Sequence, residues 1–98
     1  MATPVERIRK RLEEALSPLH LEIVDASAAH VGHVEAGGGG HYFVTIVSEA
    51  FRGKPLLERH QMVYRALSEM MVSEIHALSI KAYTPEEFQT AGGGAERP

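Results

Sequence analysis

The sequence predicts one α+β domain over residues 1–90, with the element order α-β-β-α-β and a three-stranded mixed sheet. Its 98 residues, of which 44% are hydrophobic, provide one core but not two. Two segments have apolar residues at helical spacing, and three shorter ones have the composition of strands. Because a helix joins the last two strands, they are expected to be parallel neighbours, with both helices on one face.

The first predicted element is a helix that starts after Thr3. Thr3, Pro4 and Glu6 form a capping signature, and apolar residues then recur at helical spacing until Pro18. A strand is expected over 19–24, where apolar residues alternate.

A glycine-rich loop and a second strand are predicted next. Residues 25–40 end in four consecutive glycines, which favour a mobile loop over regular structure. Residues 41–48 are rich in β-branched and aromatic side chains, so a strand is expected there. The two strands then form an antiparallel hairpin.

The rest of the chain predicts a long helix and a third strand. The helix is expected over about 55–72, and the strand over 75–83 with His76, Leu78, Ile80 and Ala82 on one face. Thr84-Pro85 starts a short terminal turn. Residues 91–98 have nothing to bury, so we expect a disordered tail.

Composition excludes several classes of protein. The chain has no Cys, which excludes disulfides, thiol catalysis and an iron–sulfur cluster held by this chain alone. Its net charge of −3 provides no general attraction to nucleic acid. No enzyme signature, secretory signal or apolar run of about 20 residues is present. We therefore expect a cytoplasmic protein that is neither an enzyme nor membrane-bound.

The histidines are the unusual feature. His30 and His33 lie three apart in the loop, where they are either solvated imidazoles or metal ligands. His76 starts the last strand, as a packed residue at the core edge or as a ligand. The predicted topology brings His30 and His76 to one sheet edge. Two imidazoles are an incomplete site for a soft metal, so a partner would complete the coordination. His20, His41 and His60 carry no comparable signal.

Several motifs in order resemble the BolA family over about residues 4–90. They are His30-x-Gly32-His33, Val47-Ser48, Phe51-x-Gly53-x5-Arg59-His60-x2-Val63-Tyr64 and His76-Ala77-Leu78-Ser79-Ile80-x-Ala82-x-Thr84-Pro85-x-Glu87. The resemblance implies a fold related to the class II KH domain, in agreement with the order predicted above.

The resemblance also implies a partner and a cofactor. BolA-like proteins pair with CGFS-type monothiol glutaredoxins and share a [2Fe-2S] cluster with the glutaredoxin cysteine and glutathione, in iron–sulfur trafficking or iron homeostasis. By motif, the ligands of this chain would be His30 and His76, with His33 as the alternative loop ligand. The free chain would be a monomer or a weak homodimer.

The alternative that the resemblance implies is a DNA-binding transcriptional regulator of stress response and cell morphology. The phosphate contacts would come from basic residues in the turn, the second helix and the last strand: Arg52, Lys54, Arg59, Arg65 and Lys81. A solvated charged helix face is the competing interpretation. The GXXG loop with which KH domains clamp nucleic acid is absent.

Overall fold

The computed structural model describes residues 3–26 and 40–90. Both loop histidines, His30 and His33, lie outside these residues, as do most of the predicted loop and the predicted tail. Within the two described ranges, no helix is long and apolar enough to cross a membrane.

The first helix, α1 (Pro4–Leu16), begins as the sequence predicts. The Thr3 hydroxyl accepts a hydrogen bond from the Glu6 N–H at 3.1 Å, and the Glu6 carboxylate accepts one from the Thr3 N–H at 3.0 Å. These two bonds satisfy backbone donors that the start of a helix leaves free. The helix ends where Ser17 takes a left-handed conformation, with φ 45°.

The sheet has the predicted mixed topology. Its strands are β1 (His20–Asp25), β2 (Gly40–Val47) and β3 (Ile75–Tyr83), in the spatial order β1-β2-β3. β1 is antiparallel to β2, and β2 is parallel to β3. The strands predicted over 19–24 and 41–48 are thus confirmed with bounds shifted by one residue.

The single helix predicted over about 55–72 is two helices, α2 (Leu56–Ala66) and α3 (Ser68–Ser73). Between them Leu67 leaves the helical conformation, with φ −107° and ψ 14°. Its N–H donates to two carbonyls of the preceding turn, at 3.1 and 3.2 Å, which tightens the end of α2. Leu67 is fully buried, so the break turns the chain without removing this side chain from the core.

The core lies between one face of the sheet and the helices. From β2, the side chains of Tyr42, Val44 and Ile46 point into it, and each is at most 3% exposed. Fully buried residues of the helical segments pack against them: Ile8, Leu12, Val63 and Leu67. The predicted placement of both long helices on one face is therefore confirmed.

The opposite face of the sheet carries Phe43 and Val47 of β2 and is called the open face below. The short helix α4 (Pro85–Thr90) covers one end of it. The Phe88 ring of α4 stacks on the His20 ring, with centroids 4.9 Å apart. Val47 is buried at this end, whereas Phe43 is 44% exposed toward the other end. The open face therefore remains accessible near the start of β3.

Candidate metal site

A bulge at the start of β3 determines the position of His76. Gly40 of β2 pairs with Ile75, but the next residue, His41, pairs with Ala77. His76 is therefore the extra residue of the bulge and is not paired with any residue of β2. Such an insertion interrupts the regular alternation of side chains along a strand.

The prediction that the His76 side chain points to the same face as Leu78 is wrong, because the bulge changes the alternation of side chains at the start of β3. Strict alternation places His76 on the same face as Leu78, as a residue packed at the core edge. In the structure Ile75 is 3% exposed and Leu78 packs against the core, although these two residues are an odd number of positions apart. The residues between them therefore both lie away from the core, and His76 is exposed.

The described residues on either side of segment 27–39 lie at the end of the sheet where β3 begins. The Ala26 N–H donates to the carbonyl of His41 at 2.8 Å, so β1 and β2 stay paired to the end of β1. At the other end, the Gly40 N–H donates to the carbonyl of Glu74, which directly precedes β3, at 3.0 Å. The residues that flank the segment, Ala26 and Gly40, thus lie at one edge of the sheet.

This is the edge at which the topology predicts that a loop histidine meets His76. The structure places His76 there, together with Ala26 and Gly40, which flank the segment that contains His30 and His33. Since the loop histidines lie outside the described residues, their meeting with His76 stays a prediction. The choice between His30 and His33 stays open for the same reason.

His41 lies at the same edge, although its position in the sequence assigns it no role. It is opposite Ala77, the residue after His76, and half-buried. Its ring meets the Phe43 ring edge-on, with centroids 5.0 Å apart and planes at 68°. The predicted parallel pairing of the second and third strands brings their first residues to one edge, but the register that sets His41 opposite Ala77 follows from the bulge, which the sequence does not reveal.

Charged groups fix the chain where β3 begins. Arg7 of α1 forms an ion pair with Glu74, the last residue before β3. These two residues and Asp25 line an open, shallow pocket of about 460 Å³ beside this edge. The ion pair ties α1 to the junction that precedes His76.

The donor set fits a metal group that is shared with another molecule. The chain has no thiolate, and among residues 3–26 and 40–90 no group of three or more His, Cys, Asp or Glu side chains could hold a metal ion. An exposed imidazole at a sheet edge can still bind a metal whose other ligands come from outside. By themselves the described residues can therefore supply only part of a coordination sphere, and the metal site stays a prediction.

The predicted phosphate-binding residue Arg59 has a structural role. Only 9% of it is exposed, and its guanidinium donates to the carbonyls of Lys54 and Ala82 at 2.8 and 3.1 Å and to the carboxylate of Glu87. The Glu87 carboxylate raises the pKa of Arg59 further above its ordinary range. A phosphate contact at Arg59 would require these bonds to break.

The sequence motif that precedes Arg59 forms the turn that leads into α2. Phe51 is fully buried at the end of a 3-10 helix (Glu49–Phe51), and Gly53 adopts φ 77°. A left-handed residue at this point favours glycine. The pattern Phe-x-Gly-x5-Arg thus describes the turn into α2 and its anchor to the core.

The other predicted phosphate-binding residues are not brought together on one surface. Arg52 bonds to the carboxylates of Glu49 and Glu86 at 2.7 and 2.9 Å, which offset its charge. Lys54 lies 3.7 Å from a carboxylate of α2. Arg65 lies on α2, on the core side of the sheet, whereas Lys81 is exposed on the open face. The nucleic-acid interface stays a prediction.

Comparison with known proteins identifies the family of this chain. Residues 12–87 match the family described as BolA-like protein. The chain is 40% identical over 84 residues to the DNA-binding transcriptional regulator BolA of Escherichia coli, covering 86% of this chain and 78% of that protein.

A larger plant protein contains a similar domain. The chain is 46% identical over 87 residues to the SufE-like protein 1, chloroplastic/mitochondrial, of Arabidopsis thaliana, covering 83% of this chain but only 24% of that protein. The solved BolA domain of SufE1 from the same plant superimposes with a TM-score of 0.77 at 42% identity, covering 89% of this chain and 98% of that domain. With the family matched over residues 12–87 and the fold shared with a solved BolA domain, this chain belongs to the BolA-like family.

Proposed function

We propose that this chain is the thiol-free partner of a CGFS-type monothiol glutaredoxin and shares a [2Fe-2S] cluster with it, in iron–sulfur cluster trafficking or iron homeostasis. The observation that carries the proposal is the position of His76. It is an exposed imidazole in a bulge, at the edge where Ala26 and Gly40, the residues that flank the histidine-bearing segment 27–39, also lie.

The ligand atoms that this chain can offer support a cluster that is shared with another protein. Since the chain has no Cys, thiolate ligands have to come from other molecules, and a glutaredoxin cysteine and glutathione are the expected sources. The contribution of this chain would be imidazole nitrogen from His76 and from His30 or His33. When bound, such a cluster supplies electron-transfer and cluster-transfer chemistry, and imidazole in place of thiolate raises its reduction potential.

Reconstitution with a glutaredoxin tests the proposal. The chain is mixed anaerobically with a CGFS glutaredoxin, iron, sulfide and glutathione, and the product is followed by size-exclusion chromatography, visible absorption and circular dichroism. A coloured heterodimer is expected. Its spectrum should change in His76→Ala and in the double variant His30→Ala, His33→Ala.

The matched control is His60→Ala, because His60 is a half-buried histidine of α2 rather than of the sheet edge. This variant should form the same cluster as the unchanged chain. Failure to form a coloured heterodimer would reject the function. An unchanged spectrum in His76→Ala would reject the ligand assignment.

DNA-binding regulation is the second candidate. A relative with 40% identity is named a DNA-binding transcriptional regulator, and Arg65 and Lys81 present exposed cations here. This function predicts an affinity for duplex DNA that falls steeply between about 50 and 200 mM salt, because bound phosphates release counterions. Fluorescence anisotropy with a labelled duplex measures it, and no binding at about 50 mM salt would reject it.

A further inference from the structure

We propose that the part of the open face nearest the start of β3 is the docking surface for the protein that supplies the thiolates of the shared cluster. This part carries Val24 of β1, Phe43 of β2, and Ala77 and Ser79 of β3, and it is called the docking patch below. The inference rests on the proposed function and deepens it, because it names the surface against which the partner sits.

Strand register places the docking patch on one face of the sheet. Val24 is directly opposite Phe43 in the antiparallel pair, and Phe43 is opposite Ser79 in the parallel pair. Residues opposite each other in a sheet have their side chains on the same face. Val24 is 55% exposed and Phe43 is 44% exposed. Two large apolar side chains therefore lie next to each other at the surface.

His76 borders the docking patch. Ile75 and Leu78 both pack toward the core, so the two residues between them, His76 and Ala77, are directed to the open face. A strand rises about 3.3 Å per residue, and adjacent strands lie about 4.8 Å apart. From the register, the backbone of Phe43 is about 11 Å from that of His76, and the backbone of Val24 is about 14 Å from it.

The bonds of a shared cluster bring the partner against this face. Bonds from a metal to imidazole or thiolate are about 2.0–2.3 Å long, so a protein that supplies a thiolate to the same cluster has to contact the surface around His76. A standard protein–protein interface buries about 800 Å² on each partner, which is a patch roughly 30 Å across. Because His76 is directed to the open face, a partner bound there covers Val24 and Phe43.

The rest of the open face has the composition of an interface rim. The next row of the sheet has a charged residue on each edge strand, Glu22 on β1 and Lys81 on β3, and both are exposed. Beyond that row, the Phe88 ring of α4 lies against the rings of His20 and Tyr83, at centroid distances of 4.9 and 5.7 Å. Apolar side chains beside the metal edge, followed by charged ones, are the arrangement of an interface core and its rim.

Two glutamate substitutions test the docking patch. In the anaerobic reconstitution mixture, glutaredoxin is held constant and the chain is added in steps, and visible circular dichroism gives the concentration of chain at half-maximal heterodimer. Phe43→Glu and Val24→Glu each place a charge where the partner would bury an apolar side chain, so each should raise this concentration at least about tenfold. The spectrum at saturation should match that of the unchanged chain, because no ligand is altered.

Leu57→Glu is the matched control, because it changes the net charge by the same amount. Leu57 is 72% exposed, and it lies on α2, on the other side of the sheet. This variant should leave the half-maximal concentration within about twofold of that of the unchanged chain. Val72→Glu tests the helical side of the same edge, because Val72 is 85% exposed on α3, four residues before His76. It should have as little effect as Leu57→Glu.

An unchanged half-maximal concentration in both Phe43→Glu and Val24→Glu would overturn the docking patch, and so would a rise confined to Val72→Glu. Amide proton–nitrogen NMR spectra of the free variants check the fold, and Val24→Glu alone decides the test if Phe43→Glu disturbs β2. The two proposals fail in different ways. Absence of a coloured heterodimer with the unchanged chain rejects the proposed function, whereas a heterodimer that is insensitive to both glutamate substitutions rejects only the docking patch.

Discussion

Arg59 of α2 donates hydrogen bonds to both carboxylate oxygens of Glu87 in α4, at 2.5 and 3.0 Å. The Thr84 N–H also donates to this carboxylate, at 3.0 Å, and closes the cap of α4. Arg59 first, and then the Thr84 N–H, lower the pKa of Glu87 to about 2. One carboxylate thus holds α4 to α2 and to the end of β3.

We expect Glu87→Gln to reduce the free energy of unfolding at pH 7 by about 1 kcal/mol, a modest value because Glu87 is half-exposed and its ion pair is screened by water. The folded-state pKa lies below the ordinary value of 4.5, so the carboxylate stabilises the fold above pH 4.5. This contribution is lost as the pH falls toward 2. Urea denaturation at pH 7, 4.5 and 2.5 measures it.

The control is Glu13→Gln, which changes an exposed carboxylate of α1. It should leave the free energy of unfolding within about 0.5 kcal/mol of the unchanged chain at each pH. A difference between Glu87→Gln and the unchanged chain that stays constant from pH 7 to pH 2.5 would contradict the assigned role of Glu87.

The difference in burial between Leu57 and Leu67 predicts an unequal effect of two leucine substitutions. Leu67 is fully buried at the break, whereas Leu57 in the first turn of α2 is 72% exposed. Leu67→Ala should lower the free energy of unfolding by about 2–5 kcal/mol, because it leaves a cavity in the core. Leu57→Ala should change it by less than about 0.5 kcal/mol in the same urea titration. Equal effects would contradict the difference in burial between these two side chains.

Gly53 provides a test of backbone conformation alone. Its φ is 77°, and a Cβ atom added there would have no heavy atom within 4 Å. The cost of Gly53→Ala is therefore that of a left-handed L-residue, about 1 kcal/mol in thermal or urea unfolding. Gly53→Asn should cost less, because Asn tolerates this conformation. An Ala variant as stable as the unchanged chain would mean that the turn has another conformation.

The elements that the sequence predicts correctly depend on neighbouring residues or on chain order. The cap of α1 is encoded by Thr3 and Glu6, three positions apart, and both of its bonds form. The parallel pairing of β2 with β3 follows from the helical crossover between them. Local hydrogen bonds and the handedness of connections do not depend on the rest of the fold, so the sequence is sufficient to predict them.

The features that could not be predicted depend on contacts between distant segments. The apolar pattern runs through Leu67 without interruption, so only packing against the sheet reveals the break there. The basic pattern includes Arg59, but its partner Glu87 is far along the chain. In the candidate site, the position of His76 was predictable from topology, whereas its outward direction and its neighbour His41 follow from the bulge.

The position of His76 in the bulge leads to a last prediction, which concerns the stability of His76→Ala. His76 is exposed and has no opposite residue on β2, so His76→Ala should change the free energy of unfolding by less than about 0.5 kcal/mol. Its neighbour Ile75 is 3% exposed, and Ile75→Ala should cost about 2–5 kcal/mol. Urea denaturation of both variants compares them. Loss of metal or cluster binding in a fully stable His76→Ala chain would then report the missing imidazole itself. A loss of stability close to that of Ile75→Ala would instead place His76 in the packed core, against the arrangement found here.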